Sequence, residues 1–195
     1  MSEPSIELRG LEARDIDGVL TIQSAAPEAA QWKRAAYAAI LNGGPDRLIL
    51  AERSPTLVGF ASYRVIAPEA ELLNLAVLRA FRRRGIGARL LQEVIRAARE
   101  CCVSDLFLEV REGNRGALRL YENFGFQIAS RRSDYYRDPP ADALTLHCSI
   151  VQNEETAPHS SDASPKQHEK YPHGAGGGSL KSISSQRLPH SFTDF

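Results

Sequence analysis

The chain is poor in cysteine, and the three it has, Cys101, Cys102 and Cys148, are an odd number with two of them adjacent. Such a set cannot build a disulfide framework, so reduced thiols are expected. Net charge is absent as well: 24 basic residues balance 24 acidic ones, which leaves no bulk electrostatic argument for a nucleic-acid partner. No apolar run approaches the roughly 20 residues that cross a bilayer. The N-terminus shows no basic region followed by an apolar one, so a cytoplasmic protein without membrane contact is expected.

Apolar periodicity gives out at Gln152, beyond which Ser, His, Pro, Gly and Lys dominate and Gly176-Gly-Gly-Ser179 has the composition of a flexible linker. One domain over residues 1–151 and a disordered low-complexity tail over 152–195 are expected. The tail carries His159, His168, His173 and His190, but their spacings match no paired-ligand motif and no cysteine accompanies them. No metal is expected.

What the chain does have is a regular alternation of elements. Ile6 to Arg9 reads as a strand, and Asp15 can cap a helix to about Ala26 with Ile16, Val19, Leu20 and Ile22 inward. Pro27 suits the start of a second helix running to about Asn42, stopped by Gly43-Gly-Pro45. Residues 47–53 and 57–66 read as a hairpin across Ser54-Pro-Thr56, and 70–78 completes a meander. A helix over 85–101 follows, with Ile86, Leu90, Leu91, Val94, Ile95 and Ala98 at helical spacing and Arg89, Gln92, Glu93, Arg96 and Arg99 facing water. A strand at 105–111, a helix at 114–123 and strands at 126–137 and 142–151 close the domain. The strands flanking the helix at 85–101 must be parallel, because a full helix crosses between them. The fold class is therefore α/β (α+β).

The chemistry concentrates at Arg82-Arg-Arg-Gly-Ile-Gly-Ala88, between an apolar strand and that amphipathic helix. A glycine-bearing turn that opens a helix presents unpaired N–H groups at the positive end of a dipole equivalent to roughly half a charge. Gly85 and Gly87 let a pyrophosphate lie against the backbone, and the arginines add charge that does not titrate away.

From Leu73 to Phe126 the chain resembles the acetyl-CoA-binding core of the GNAT N-acetyltransferases, whose signature Gln/Arg-x-x-Gly-x-Gly/Ala is met at every fixed position by Arg82-Arg-Arg-Gly-Ile-Gly87. Asn74-Leu-Ala-Val77, Leu108-Glu-Val-Arg111, Asn114, Leu120-Tyr121, Gly125-Phe126 and Arg131-Arg-Ser-Asp-Tyr-Tyr136 are similar to RimI-type members, which acetylate the N-terminal alanine of small-subunit ribosomal protein eighteen. The resemblance covers residues 5–151. It implies the GNAT fold, a central mixed, mostly antiparallel sheet with a splayed parallel strand pair, flanked by helices.

The resemblance also implies roles. Glu109 is the general base, working through a water, and Tyr121 the general acid. Leu75, Ala76 and Val77 supply backbone groups to the pantetheine arm and the oxyanion, with Val77 N–H on the oxyanion. Arg83, Arg84, Gly85, Ile86, Gly87 and Ala88 hold the pyrophosphate, Asn114 bonds the cofactor near its reactive end, and Tyr135 or Tyr136 meets the substrate. Read from the residues alone, Glu109 is a strand carboxylate paired with an arginine, Tyr121 a packing aromatic and Asn114 a helix N-cap. Tyr135 and Tyr136, being consecutive in a strand, should point to opposite faces.

The implied activity is acetyl transfer from acetyl-CoA to a protein N-terminal α-amine, with a ribosomal protein as partner, no direct nucleic-acid contact and no metal. An α-amine near pKa 7.7–8.0 deprotonates at a cost roughly 3–4 kcal/mol lower than a lysine near 10.4, which suits a weak carboxylate base. Transfer to a lysine or a small-molecule amine is the alternative within the family. A catalytically silent acyl-CoA-binding or ribosome-associated module is the alternative outside it.

Overall fold

A computed structural model describes residues 5–137 and 140–150. In chain order the elements are β1 (Glu7–Gly10), α1 (Ile16–Ser24), α2 (Arg34–Leu41), β2 (Asp46–Arg53), β3 (Thr56–Ile66), β4 (Glu69–Val77), α3 (Ile86–Glu100), β5 (Asp105–Arg111), α4 (Arg115–Asn123), β6 (Gln127–Arg137) and β7 (Pro140–Ser149). The strands form one seven-stranded sheet in the order β1-β2-β3-β4-β5-β7-β6, in which β4 and β5 are the parallel pair. The tail expected over 152–195, with its histidines, lies outside the described residues.

Both faces of the sheet's middle are covered, and the strand patterns follow from that. The apolar stripe of α3, with Leu90, Leu91 and Val94 fully buried, packs on Val58, Leu72, Leu106, Leu108 and Leu146. Each such side chain contributes about 1.5–3 kcal/mol by leaving water. Val19 and Ile22 of α1 and Tyr37 of α2 cover the opposite face over Leu48, Leu50, Phe60 and Ala76. Residues 48–51 of β2 are consequently buried without alternation, as expected for a strand with helices on both sides.

Two details upstream differ from the pattern in the sequence. The second helix starts at Arg34, not near Pro27. Side-chain amides satisfy the backbone of the intervening segment instead: Gln23 Nε2 donates to Trp32 O at 3.0 Å, Trp32 N donates to Gln23 Oε1 at 2.8 Å, and Gln31 Nε2 reaches the carbonyls of Gln23, Ala26 and Ala29. Asn74 Nδ2 of β4 ties the same segment down by donating to Ala30 O at 2.9 Å. Asp15 makes no side-chain cap on α1. Its carboxylate takes two bonds from Arg9, at 2.7 and 2.8 Å, and one from Glu12 N at 2.9 Å, which fastens β1 to the start of α1.

Candidate active site

The site begins where the parallel pair comes apart. Pairing of β4 with β5 runs from Glu69↔Asp105 to Leu72↔Leu108 and then stops. At the same point the β3–β4 register shifts, with Tyr63 opposite Leu72 but Ser62 opposite Asn74, so Leu73 is an extra residue. A bulge bends and twists its strand. Beyond it β4 stays with β3, whereas β5 stays with β7 as far as Arg111↔Ala143. The opening lies between Leu75–Val77 on one side and Glu109–Arg111 on the other.

Which backbone groups face this opening follows from the antiparallel ladder. Leu78 N donates to Val58 O at 2.9 Å, so the alternation turns the N–H and C=O of Ala76 toward β3 and those of Leu75 and Val77 toward the opening. Of the three residues expected to offer backbone groups, Ala76 is therefore removed, and its methyl lies in the core under α1 and α2. Val77 O already accepts from Arg82 Nε at 2.9 Å, which leaves Val77 N–H as the polar group it presents.

From Val77 the chain passes through a short turn at Arg79–Phe81 into the arginine triplet and α3. Arg83 at φ 64° and Gly85 at φ 78° are both left-handed, and that conformation turns successive amides to one side. No backbone carbonyl among the described residues accepts from the amides of residues 83–88. No side chain among the described residues caps α3, and its first turn has no acidic residue. The concavity thus has the chemistry of an anion site. Gly87 adds shape: a Cβ there would lie 3.5 Å from Leu120 of α4 and 3.8 Å from Leu75 of β4, so the bare Cα opens onto the gap leading to the splayed strands. These features fit an anion such as a pyrophosphate with room beside it for an extended arm. Arg84 stands over the Phe81 ring at 5.6 Å, with Arg53 at 5.8 Å.

On β5, Leu106, Leu108 and Val110 are buried against α3, which sends Glu109 and Arg111 to the other face. The Glu109 side chain is 15% exposed and accepts from Arg132 of β6 at 2.8 Å. Tyr121 of α4 is buried beside Phe126, with ring centroids 5.8 Å apart. Burial pushes its phenol well above the ordinary value of 10, so it holds its proton at any physiological pH. Asn114 caps α4, its Oδ1 accepting from Ala117 N at 3.2 Å.

The tyrosine pair departs from simple alternation. The β6–β7 register shifts between Arg132 and Tyr136, and Asp134 is left-handed at φ 52°, with its N–H held by Asp142 Oδ1 at 3.0 Å. This bulge brings the rings of Tyr135 and Tyr136 side by side, 5.1 Å apart and edge to face, instead of onto opposite faces. Arg132 lies over Tyr135 at 4.4 Å and Arg111 over Tyr136 at 4.0 Å. Burial first, and the Glu109 carboxylate second, push the Tyr135 phenol up to about 12.

Two arginines at this site escape sequence reasoning. Arg132 pairs with Glu109 from two strands away, and Arg82 turns from the arginine triplet to pair with Glu28 at 2.5 Å in the segment between α1 and α2. An arginine's partner across a sheet leaves no periodic trace in the sequence.

Residues 16–126 match the model of the acetyltransferase (GNAT) family. The [ribosomal protein bS18]-alanine N-acetyltransferase of Escherichia coli (strain K12) is 33% identical over 142 residues, 71% of this chain and 94% of that protein. The N-alpha-acetyltransferase RimI of Mycobacterium tuberculosis is 39% identical over 119 residues, 59% of this chain and 73% of that protein. The crystal structure of the Escherichia coli ribosomal-protein-S18-alanine N-acetyltransferase superposes with a TM-score of 0.67 at 29% identity, over 78% of this chain and 99% of that one.

Proposed function

Because the chain belongs to the GNAT family of acetyltransferases, whose acetyl donor is acetyl-CoA, we propose that this enzyme acetylates a protein N-terminal α-amine, the N-terminal alanine of ribosomal protein bS18 foremost. The observation that carries this reading is the juxtaposition at the splayed strands. One carboxylate, Glu109, stands on the face away from α3, while the free amides of the phosphate loop and the Gly87 gap lie on the α3 side. The donor reaches the opening from one face and the acceptor from the other.

In this reading the amides of Arg83, Arg84, Gly85, Ile86, Gly87 and Ala88 hold the pyrophosphate, and Leu75 and Val77 offer backbone groups along the arm. Asn114, with its Oδ1 engaged in capping α4, offers its NH₂ near the thioester. Glu109 takes a proton from the attacking amine through a water. Val77 N–H donates to the acetyl oxygen as it gains negative charge, and Tyr121 gives its proton to the departing thiolate. A phenol raised by burial is a weak acid, but it is always protonated and the thiolate is basic, with a conjugate acid near 8.5. Tyr135 and Tyr136 wall the acceptor side.

In this reading residues 1–151 are the N-acetyltransferase domain and 152–195 a low-complexity tail outside it. No helix among the described residues is long and apolar enough to cross a membrane. The cytoplasm, where ribosomal proteins are made, is the proposed place of action. The test is incubation with acetyl-CoA and a peptide library bearing free N-termini and internal lysines, read by mass spectrometry. Acetyl groups on N-terminal alanine are expected, and label chiefly on lysine overturns the reading.

A further inference from the structure

Glu109 and Arg132 meet although β7 lies between their strands. Adjacent strands are about 4.8 Å apart, so the guanidinium must reach across a full strand. Small side chains make this possible: Thr145 stands opposite Glu109 on β7, and Ala143 stands between Arg111 and Arg132. Arg132 donates through Nη1 to one carboxylate oxygen, Oε1, and its planar group lies over the Tyr135 ring at 4.4 Å. The guanidinium is thus engaged at both its donor edge and its flat face, although half of the side chain remains exposed. Arg111, two residues along on the same face of β5, lies over Tyr136 in the same way.

We propose that Arg132 is a positioning residue for acetyl transfer: it holds Oε1 of Glu109 so that the second carboxylate oxygen is presented to the water that relays the proton of the acceptor amine. This rests on Glu109 being the base. Without Arg132 the carboxylate can rotate toward the neighbouring Arg111, and its proton-accepting oxygen loses its aim. Misplacement of a reacting group by about 1 Å costs up to about 10²-fold in rate. The role differs from acceptor binding, which would change KM, and from a contribution to folding, which would change the melting temperature.

The experiment uses the full chain with acetyl-CoA and a peptide bearing an N-terminal alanine. Arg132→Gln is expected to lower kcat by roughly 10- to 100-fold, with KM for both substrates and the melting temperature close to wild type. Arg132→Lys, which keeps a donor and the charge, recovers a substantial part of the rate. Because Arg132 acts through Glu109, adding Arg132→Gln to Glu109→Gln brings no further loss. A wild-type rate in Arg132→Gln, or a full additional loss in the double variant, overturns this proposal while the base assignment stands. A full rate in Glu109→Gln alone overturns the base assignment, and this proposal with it.

Discussion

Replacing Gly87 separates binding from folding at the phosphate loop. Its φ is not left-handed, and the Cβ of a larger residue would meet Leu120 and Leu75 at 3.5 and 3.8 Å, ordinary contact distances. The helix does not suffer either. Glu has a higher helix propensity than Gly by roughly 0.5–1 kcal/mol, and a carboxylate in the first turn gains about 0.3–1 kcal/mol from the dipole. Gly87→Glu should therefore melt within a few degrees of wild type. Its carboxylate, however, lies at the free amides and competes for them with the pyrophosphate. Two charge-assisted hydrogen bonds lost at about 1.5–3 kcal/mol each amount to about 3–6 kcal/mol, or roughly 10²- to 10⁴-fold in Kd. Gly87→Ala adds one methyl and no charge, and should weaken binding by less than about tenfold. Calorimetric titration with acetyl-CoA and thermal melts of both variants provide the test. Wild-type affinity in Gly87→Glu refutes the assignment of this loop to the pyrophosphate.

Further expectations concern chemistry, stability and chain length. Glu109→Gln should lower kcat by roughly 10²- to 10⁴-fold, with the deficit shrinking as pH rises and the amine deprotonates unaided, whereas Tyr121→Phe should show no such rescue; equal pH profiles in steady-state assays would contradict the division of roles. The Arg9 guanidinium holds the Asp15 carboxyl below its usual range, so its stabilisation is present above the unfolded pKa near 3.9 and lost as pH falls through the lower folded value. Asp15→Asn should cost about 1–3 kcal/mol at neutral pH and flatten the acid limb of stability, as urea titrations from pH 7 to 3 would show. At Gly59 a Cβ would stand 2.9 Å from Ala76 O, so Gly59→Ala should lower the melting temperature and displace the end of β4, with a loss of activity exceeding the loss of fold. Deleting residues 152–195 should leave melting temperature and peptide acetylation nearly unchanged, because that segment has too few apolar residues to join a core.

The sequence by itself determined the features whose causes are local. The stripe from Ile86 to Ala98 repeats at the period of a helix face, Gly85 supplies the left-handed residue that starts α3, and alternation along β5 predicts that Glu109 faces away from Leu108 and Val110. Each depends on neighbours within a few residues, and so each is legible in one dimension. Pro27 misled because helix-start chemistry competes there with the side-chain amides of Gln23 and Gln31, whose carbonyl partners become known only in the folded segment. The site's working geometry depends on distant pairings that tertiary structure alone decides. The bulge at Leu73 opens the strands only because β3 holds one side and β7 the other, and the bulge at Asp134 needs Asp142 opposite it to bring Tyr135 and Tyr136 together. Arg132 reaches Glu109, 23 residues away, only in the strand order β5-β7-β6 with small side chains on the strand between. Backbone preference and periodicity are properties of a segment, whereas strand order, register and the partner of a charge belong to the packed whole.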